Sequence, residues 1–99
     1  MDNIDKYRGK IARFTKNDAI QKDLILLVSI ELLVDGIWIP FRDHLWMNSK
    51  GFDRSKQEHI AYFFAKKYKY GITAYREGLT LKTPKLVTYS KGIKNGKRG

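Results

Sequence analysis

The sequence predicts a small, mostly β fold, and three observations carry that expectation. Asp35-Gly36 stands between two apolar runs, a strong hairpin signal because both turn residues must adopt positive φ. Apolar residues alternate with polar ones over several segments of strand length. Aromatic residues, which favour the pleated surface of a strand, make up 13% of the chain.

The first strand is expected over Tyr7–Phe14, with Ile11 and Phe14 apolar among Arg8, Lys10 and Arg13. Lys16-Asn17-Asp18 reads as a turn, since Asn and Asp satisfy backbone groups locally. Asp23–Val34 is the second strand. Its leucines would suit a helix, but the Asp-Gly turn that follows decides for a strand. The returning limb runs from Ile37 to Met47, and Pro40, which cannot donate to a ladder, places an edge or a bulge there. Asn48-Ser-Lys-Gly51 is a loop. Ser55-Lys-Gln-Glu58 has the form of a capping box opening a short helix, with Asp53 as a second candidate cap.

Glu58–Tyr70 fits two periods. Ile60, Phe64 and Tyr68 would make a helical stripe, while Ile60, Tyr62 and Phe64 alternate as in a strand. Aromatic density favours the strand. Gly71 and Gly78 bracket a loop or short hairpin, and Leu79–Tyr89 is a last strand with an edge or bulge at Pro84. The core is expected to hold Leu24, Leu26, Val28, Ile30, Phe63 and Ala65. These elements, five strands with one short helical element between strands 3 and 4, match a partly open barrel of the oligonucleotide-binding (OB) kind. An SH3-like barrel accounts for the strand count almost as well.

Composition narrows the function classes. The 99 residues make one domain, expected over residues 1–90, followed by a basic flexible tail over 91–99. The absence of cysteine excludes disulfides, thiol catalysis and Cys-ligated metal. No run approaches the roughly 18 apolar residues of a membrane span. Met1-Asp-Asn-Ile-Asp5 lacks the basic and apolar regions of a signal peptide, so a cytoplasmic location is expected. The net charge is +10, and removing Lys91, Lys94, Lys97 and Arg98 of the tail still leaves +6. Such a balance favours a polyanionic partner.

Tyr7-Arg-Gly-Lys-Ile-Ala-Arg-Phe14, the apolar strand Leu24–Leu33, and Asp43-His44-Leu45-Trp46 followed by Gly51-Phe52 carry a resemblance. Together with Phe63-x-Ala65, Tyr68 to Tyr75 and Leu81-Lys-Thr-Pro84, they are similar to small uncharacterised OB-like proteins of plasmids and phages of Gram-positive bacteria. The resemblance spans most of residues 6–89. It implies a barrel, and a strand rather than a helix over Glu58–Tyr70. Lys56-Gln-Glu-His59 stands where that family usually has a Gly-Asp turn. The family supplies no activity to carry over.

Enzymatic chemistry is not expected. Adjacent strand residues point to opposite faces, so Asp43 does not orient His44 as a base. His44 and His59 show no metal-ligand spacing, no phosphate loop of the strand–Gly-loop–helix kind occurs, and no cofactor or small-molecule substrate is expected. The signal lies in cations interleaved with rings: Tyr62, Tyr68, Tyr70 and Tyr75 with Lys66, Lys67, Lys69 and Arg76. Cations track phosphates while rings stack on bases. Arg42 and the face-sharing pair Arg8 and Lys10 extend this basic surface. Trp38 and Trp46 are core residues or, if exposed beside Arg42, stacking platforms. The expected partner is single-stranded DNA or RNA; the alternative is a protein-binding module or basic inhibitor that docks on a host or phage protein.

Overall fold

A computed structural model describes residues 3–17, 22–70 and 76–91, with the backbone alone at Asn17, Lys22, Tyr70 and Arg76. The strands are β1 (Ile4–Asn17), β2 (Lys22–Val34), β3 (Ile37–Asn48), β4 (His59–Tyr70), β5 (Arg76–Lys82) and β6 (Thr88–Lys91). They form one antiparallel sheet in the order β3-β2-β1-β4-β5, with β6 also paired to β4. Among the described residues no helix is long and apolar enough to cross a membrane.

The hairpin is the one the sequence predicts. Asp35 and Gly36 both take positive φ, +50° and +79°, in a two-residue loop joining β2 to β3. Within Glu58–Tyr70, β4 (His59–Tyr70) is hydrogen-bonded in ladders on both sides, to β1 on one and to β5 and β6 on the other. A helix cannot make those pairings, so the strand reading holds. At Pro40 the register of β3 on β2 slips: Ile30 faces Arg42 whereas Glu31 faces Pro40. One extra residue, Phe41, is accommodated there, which is the bulge Pro40 implied.

Four expectations are corrected. The strands number six, because Leu79–Tyr89 is broken: Thr83 takes a left-handed conformation and Pro84–Leu86 form a 3-10 turn, separating β5 from β6. The helical element between strands 3 and 4 is only a three-residue 3-10 turn, Arg54–Lys56. Its cap is Asp53 rather than Ser55, and Glu58, at φ +73°, ends it by donating its N–H to the Ile11 carbonyl at 2.8 Å. Lys16 and Asn17 belong to β1 rather than to a turn; Asp18 lies outside the described residues. The core register of β2 is also shifted. Ile25 and Leu27 are fully buried while Leu24, Leu26 and Val28 are half-exposed; Ile30, Phe63 and Ala65 are buried as expected. The cause is Ser29, at φ +54°, beside a bulge where β2 carries one more residue than β1. An extra residue inverts the facing of everything before it relative to Ile30.

The core is built on rings from three strands. Tyr7 stacks on Phe63 and meets Phe41 edge-on, and Phe52 from the loop after β3 closes onto Phe63. Lys91, assigned by sequence to the tail, is the last residue of β6; residues 92–99 lie outside the described residues.

Candidate functional site

The sheet does not close by a backbone ladder between its end strands β3 and β5. One side chain spans the seam: Arg42 Nη2 donates to the Glu77 carbonyl at 2.9 Å, its guanidinium lying 5.6 Å from the Phe41 ring. Away from that bridge the seam opens into a cleft of about 550 Å³. One wall comes from β3 and the loop after it, with Trp46, Met47, Lys50 and Gly51. The other comes from β4, β5 and the following turn, with Tyr68, Leu79, Leu81 and Pro84.

Each wall carries one large ring. Trp46 is 40% exposed and Tyr68 46% exposed. Trp46 faces outward because its neighbours Leu45 and Met47 face the core, the alternation of a strand buried on one side. The Arg13 guanidinium lies 5.5 Å from the Trp46 ring. The Tyr68 ring covers Gly78, its cross-strand partner; a Cβ there would stand 2.6 Å from Tyr68 Cζ, so only glycine gives the ring that seat. Gly51 is required for the loop to reach the opposite wall. It sits at φ +95°, and a Cβ would meet Leu81 Cδ2 at 2.5 Å and Pro84 Cβ at 3.0 Å.

Among the described residues no carboxylate lines this cleft, whereas three smaller depressions each include Glu31, Asp43 or Glu77. Lys50 stands on its rim, exposed. Exposed Lys67 is the cross-strand neighbour of the wall residue Leu79.

Strand alternation divides the residues predicted from sequence. Lys66 and Tyr68 belong to one face of β4, Lys67 and Lys69 to the other. All four reach one depression at the end of the strand, with Asn3 and Glu77. Tyr75 lies outside the described residues, as do the side chains of Tyr70 and Arg76. Arg8, Lys10 and Arg42 are engaged within the fold. Arg8 Nε donates to Glu31 Oε1 at 2.6 Å and its guanidinium lies 4.4 Å from the Trp38 ring. Lys10 Nζ is 3.1 Å from Glu58 Oε1. Trp38 is half-buried, edge-on to Tyr62, so the exposed tryptophan is Trp46, beside Arg13 rather than Arg42.

Other polar groups are structural. Burial, reinforced by the Asp5 and Glu77 carboxylates, pushes the Tyr7 hydroxyl up to about 12. Asp53 accepts from the Ser55 hydroxyl at 2.7 Å and the Ser55 N–H at 2.9 Å, which holds its carboxyl below the usual range. The Asp53 N–H donates to Tyr89 Oη at 2.7 Å. Burial raises the Tyr89 pKa, and the nearby Asp53 carboxylate adds to it against that hydrogen bond. Asp43 and His44 are both exposed on β3. Among the described residues no three His, Asp or Glu side chains converge as a metal site.

Sequence reasoning singled out Trp46 and Tyr68 separately and missed Arg13 and Lys50 as their companions. The cleft itself had one signal in the sequence, Gly51 in the loop after β3, whose reason is a contact with Leu81 and Pro84. Compared with protein-family models, curated proteins and solved structures, the chain matches none.

Proposed function

We propose that the protein is a binding module for single-stranded nucleic acid, DNA or RNA, with little sequence preference, and that the strand lies in the cleft between β3 and β5. The observation that carries this reading is the pair of half-exposed rings, Trp46 and Tyr68, on opposite walls of a cleft that no carboxylate lines among the described residues. Bases stack on such rings whatever their identity, because every base has a π-face. Phosphates need cations nearby and no fixed negative charge, and Lys50, Lys67 and Arg13 supply the cations. The protein acts by binding and uses no cofactor. We read the strand order, with β1 paired to both β2 and β4 and an unpaired seam between β3 and β5, as an OB-like barrel of a mobile-element protein.

Titration of labelled single-stranded DNA, single-stranded RNA and duplex at two salt concentrations tests the proposal. Trp46→Ala and Tyr68→Ala each cost ~1–3 kcal/mol of single-strand binding and leave the salt slope nearly unchanged. Lys50→Ala lowers that slope by up to about 1, because one fewer counterion is released. Binding that vanishes at physiological salt and ignores both rings is the attraction of any cationic protein, and it refutes the cleft. A second reading then takes over, a host or phage protein as partner. It is favoured by the end of the β2–β3 hairpin, where Val34, Ile37 and Ile39 expose apolar side chains.

A further inference from the structure

A second depression carries a different kind of site. Where β1, β2, β4 and β6 meet, a depression of about 310 Å³ gathers three cations, Arg8, Lys10 and Lys91. Three hydroxyl side chains line it too, Ser29, Tyr62 and Ser90, with Glu31 the one carboxylate among the described residues. Four strands are needed to assemble this set, which the sequence spreads from residue 8 to residue 91.

The donors are placed rather than loose. Arg8 is fixed by Glu31 through Nε and by the face of Trp38, and among the described residues its two Nη groups meet no acceptor. Ser90 Oγ donates to Tyr62 Oη at 3.3 Å, which leaves the Tyr62 proton for a further acceptor. Among the described residues Lys10 pairs with Glu58, both side chains about half-exposed, and such surface pairs yield easily to a competing anion. Ser29 lies in the left-handed region, uncommon for a residue with a Cβ. Backbone held in that way at a concave site is a recurrent mark of function. Lys10, Ser29 and Lys91 are exposed and Arg8, Tyr62 and Ser90 half-exposed, so the core does not use these groups.

We propose that this depression binds a phosphate group, with Arg8, Lys10 and Lys91 supplying charge and Ser29, Tyr62 and Ser90 supplying hydrogen bonds. A phosphate offers several acceptor oxygens to such an array, and the guanidinium matches it through two parallel N–H groups. Glu31 limits affinity while it orients Arg8. The group is either a free or terminal phosphate or a phosphodiester of a nucleic-acid backbone; both present the same oxygens. The site is independent of the cleft, so it stands or falls separately from the function proposed above.

The test is a titration of the full chain with inorganic phosphate, followed by amide shifts of Ser29, Ser90 and Lys91 in NMR, against chloride at equal ionic strength. Phosphate is expected to saturate these shifts and chloride not. Ser29→Gly relaxes the backbone while removing a hydroxyl, so it keeps the fold and weakens phosphate by roughly threefold or more, as does Lys91→Gln. Glu31→Gln removes the competing charge and tightens it. Equal shifts with chloride, or affinities indifferent to all three substitutions, overturn the proposal. Displacement of phosphate by a 5′-phosphorylated but not a 5′-hydroxyl oligonucleotide supports a terminal phosphate; displacement by both supports a backbone phosphodiester. Trp46→Ala leaves this titration unchanged, which separates it from the cleft.

Discussion

Gly51 and Gly36 form a matched pair that isolates the contact holding the cleft together. Both have positive φ, +95° and +79°, so alanine at either costs about 1–2 kcal/mol in backbone strain. Both substitutions also restrict the unfolded chain equally, an opposing gain of about 0.4–1 kcal/mol. They differ in what the new Cβ meets. At Gly36 nothing lies within 4 Å, whereas at Gly51 the Cβ would stand 2.5 Å from Leu81 Cδ2 and 3.0 Å from Pro84 Cβ. Leu81 can rotate its methyl aside; the Pro84 ring cannot. Overpacking of this kind costs typically about 1–3 kcal/mol. Gly51→Ala is therefore expected to melt at least about 4 °C below Gly36→Ala, at roughly 4–8 °C per kcal/mol for a domain of this size. Thermal and urea melts of the two variants measure the difference. Equal midpoints would mean that the loop does not press on Leu81 and Pro84, and the cleft wall built from them would lose its support.

Three further outcomes follow from the polar groups. Tyr7 is buried and its hydroxyl meets no hydrogen-bond partner among the described residues, so Tyr7→Phe should keep or raise stability at neutral pH, by up to about 1–3 kcal/mol. Because its folded pKa of about 12 exceeds the ordinary 10.0, its contribution is intact below pH 10 and is lost as pH rises toward 12. Urea unfolding between pH 8 and pH 12 should show that alkaline loss in the parent and not in Tyr7→Phe, whereas a large loss at neutral pH would reveal a bonded hydroxyl. Tyr89→Phe removes the acceptor of the Asp53 N–H and should cost ~0.5–1.5 kcal/mol by urea melt, with no loss meaning that the clip is idle. In Ser55→Ala the Asp53 carboxyl loses its main hydrogen bonder, so its NMR titration should move up toward the usual range. In the parent the bond's contribution is present above the unfolded carboxyl pKa and lost as pH falls through the lower folded value; an unmoved titration would refute the assignment.

Local chemistry made the fold's turns and breaks legible. Asp35-Gly36, Pro40 and Pro84 each act through their own φ or missing N–H, so their consequences appear where they stand in the sequence. The facing of β2 was not legible, because it is set by Ser29. A serine carries no signal that it will adopt φ +54°; that conformation is imposed by the different registers β1 and β3 require of β2. Reading Leu24 to Ile30 as one alternating series therefore placed three leucine and valine side chains inside that the bulge turns outward. The short helix failed for a related reason. The capping pattern at Ser55-Lys-Gln-Glu58 was real in composition, but the Glu58 N–H is claimed by Ile11 on β1 before a helical turn can form.

The site was legible as a composition and not as a place. Cations interleaved with rings mark a surface that binds phosphates and bases, yet the same pairing also satisfies the protein itself. Cations here lie against Phe14, Phe41, Phe64, Trp38, Trp46 and Tyr89 of the same chain. Energetically significant pairs of this kind occur roughly once per 70–80 residues, so much of the basic and aromatic content is spent on holding its own surface. Excess charge alone therefore does not locate a ligand. The cleft is distinguished by what it leaves out: it holds two half-exposed rings, and among the described residues no carboxylate stands in its lining to neutralise Lys50. Arg8, the cation most firmly held, lies outside the cleft beside Glu31, where a ligand would have to compete with a carboxylate. In the two roles proposed for them, the cleft and this depression divide the chemistry of a nucleotide between two places on one small sheet, ring stacking at one and phosphate binding at the other.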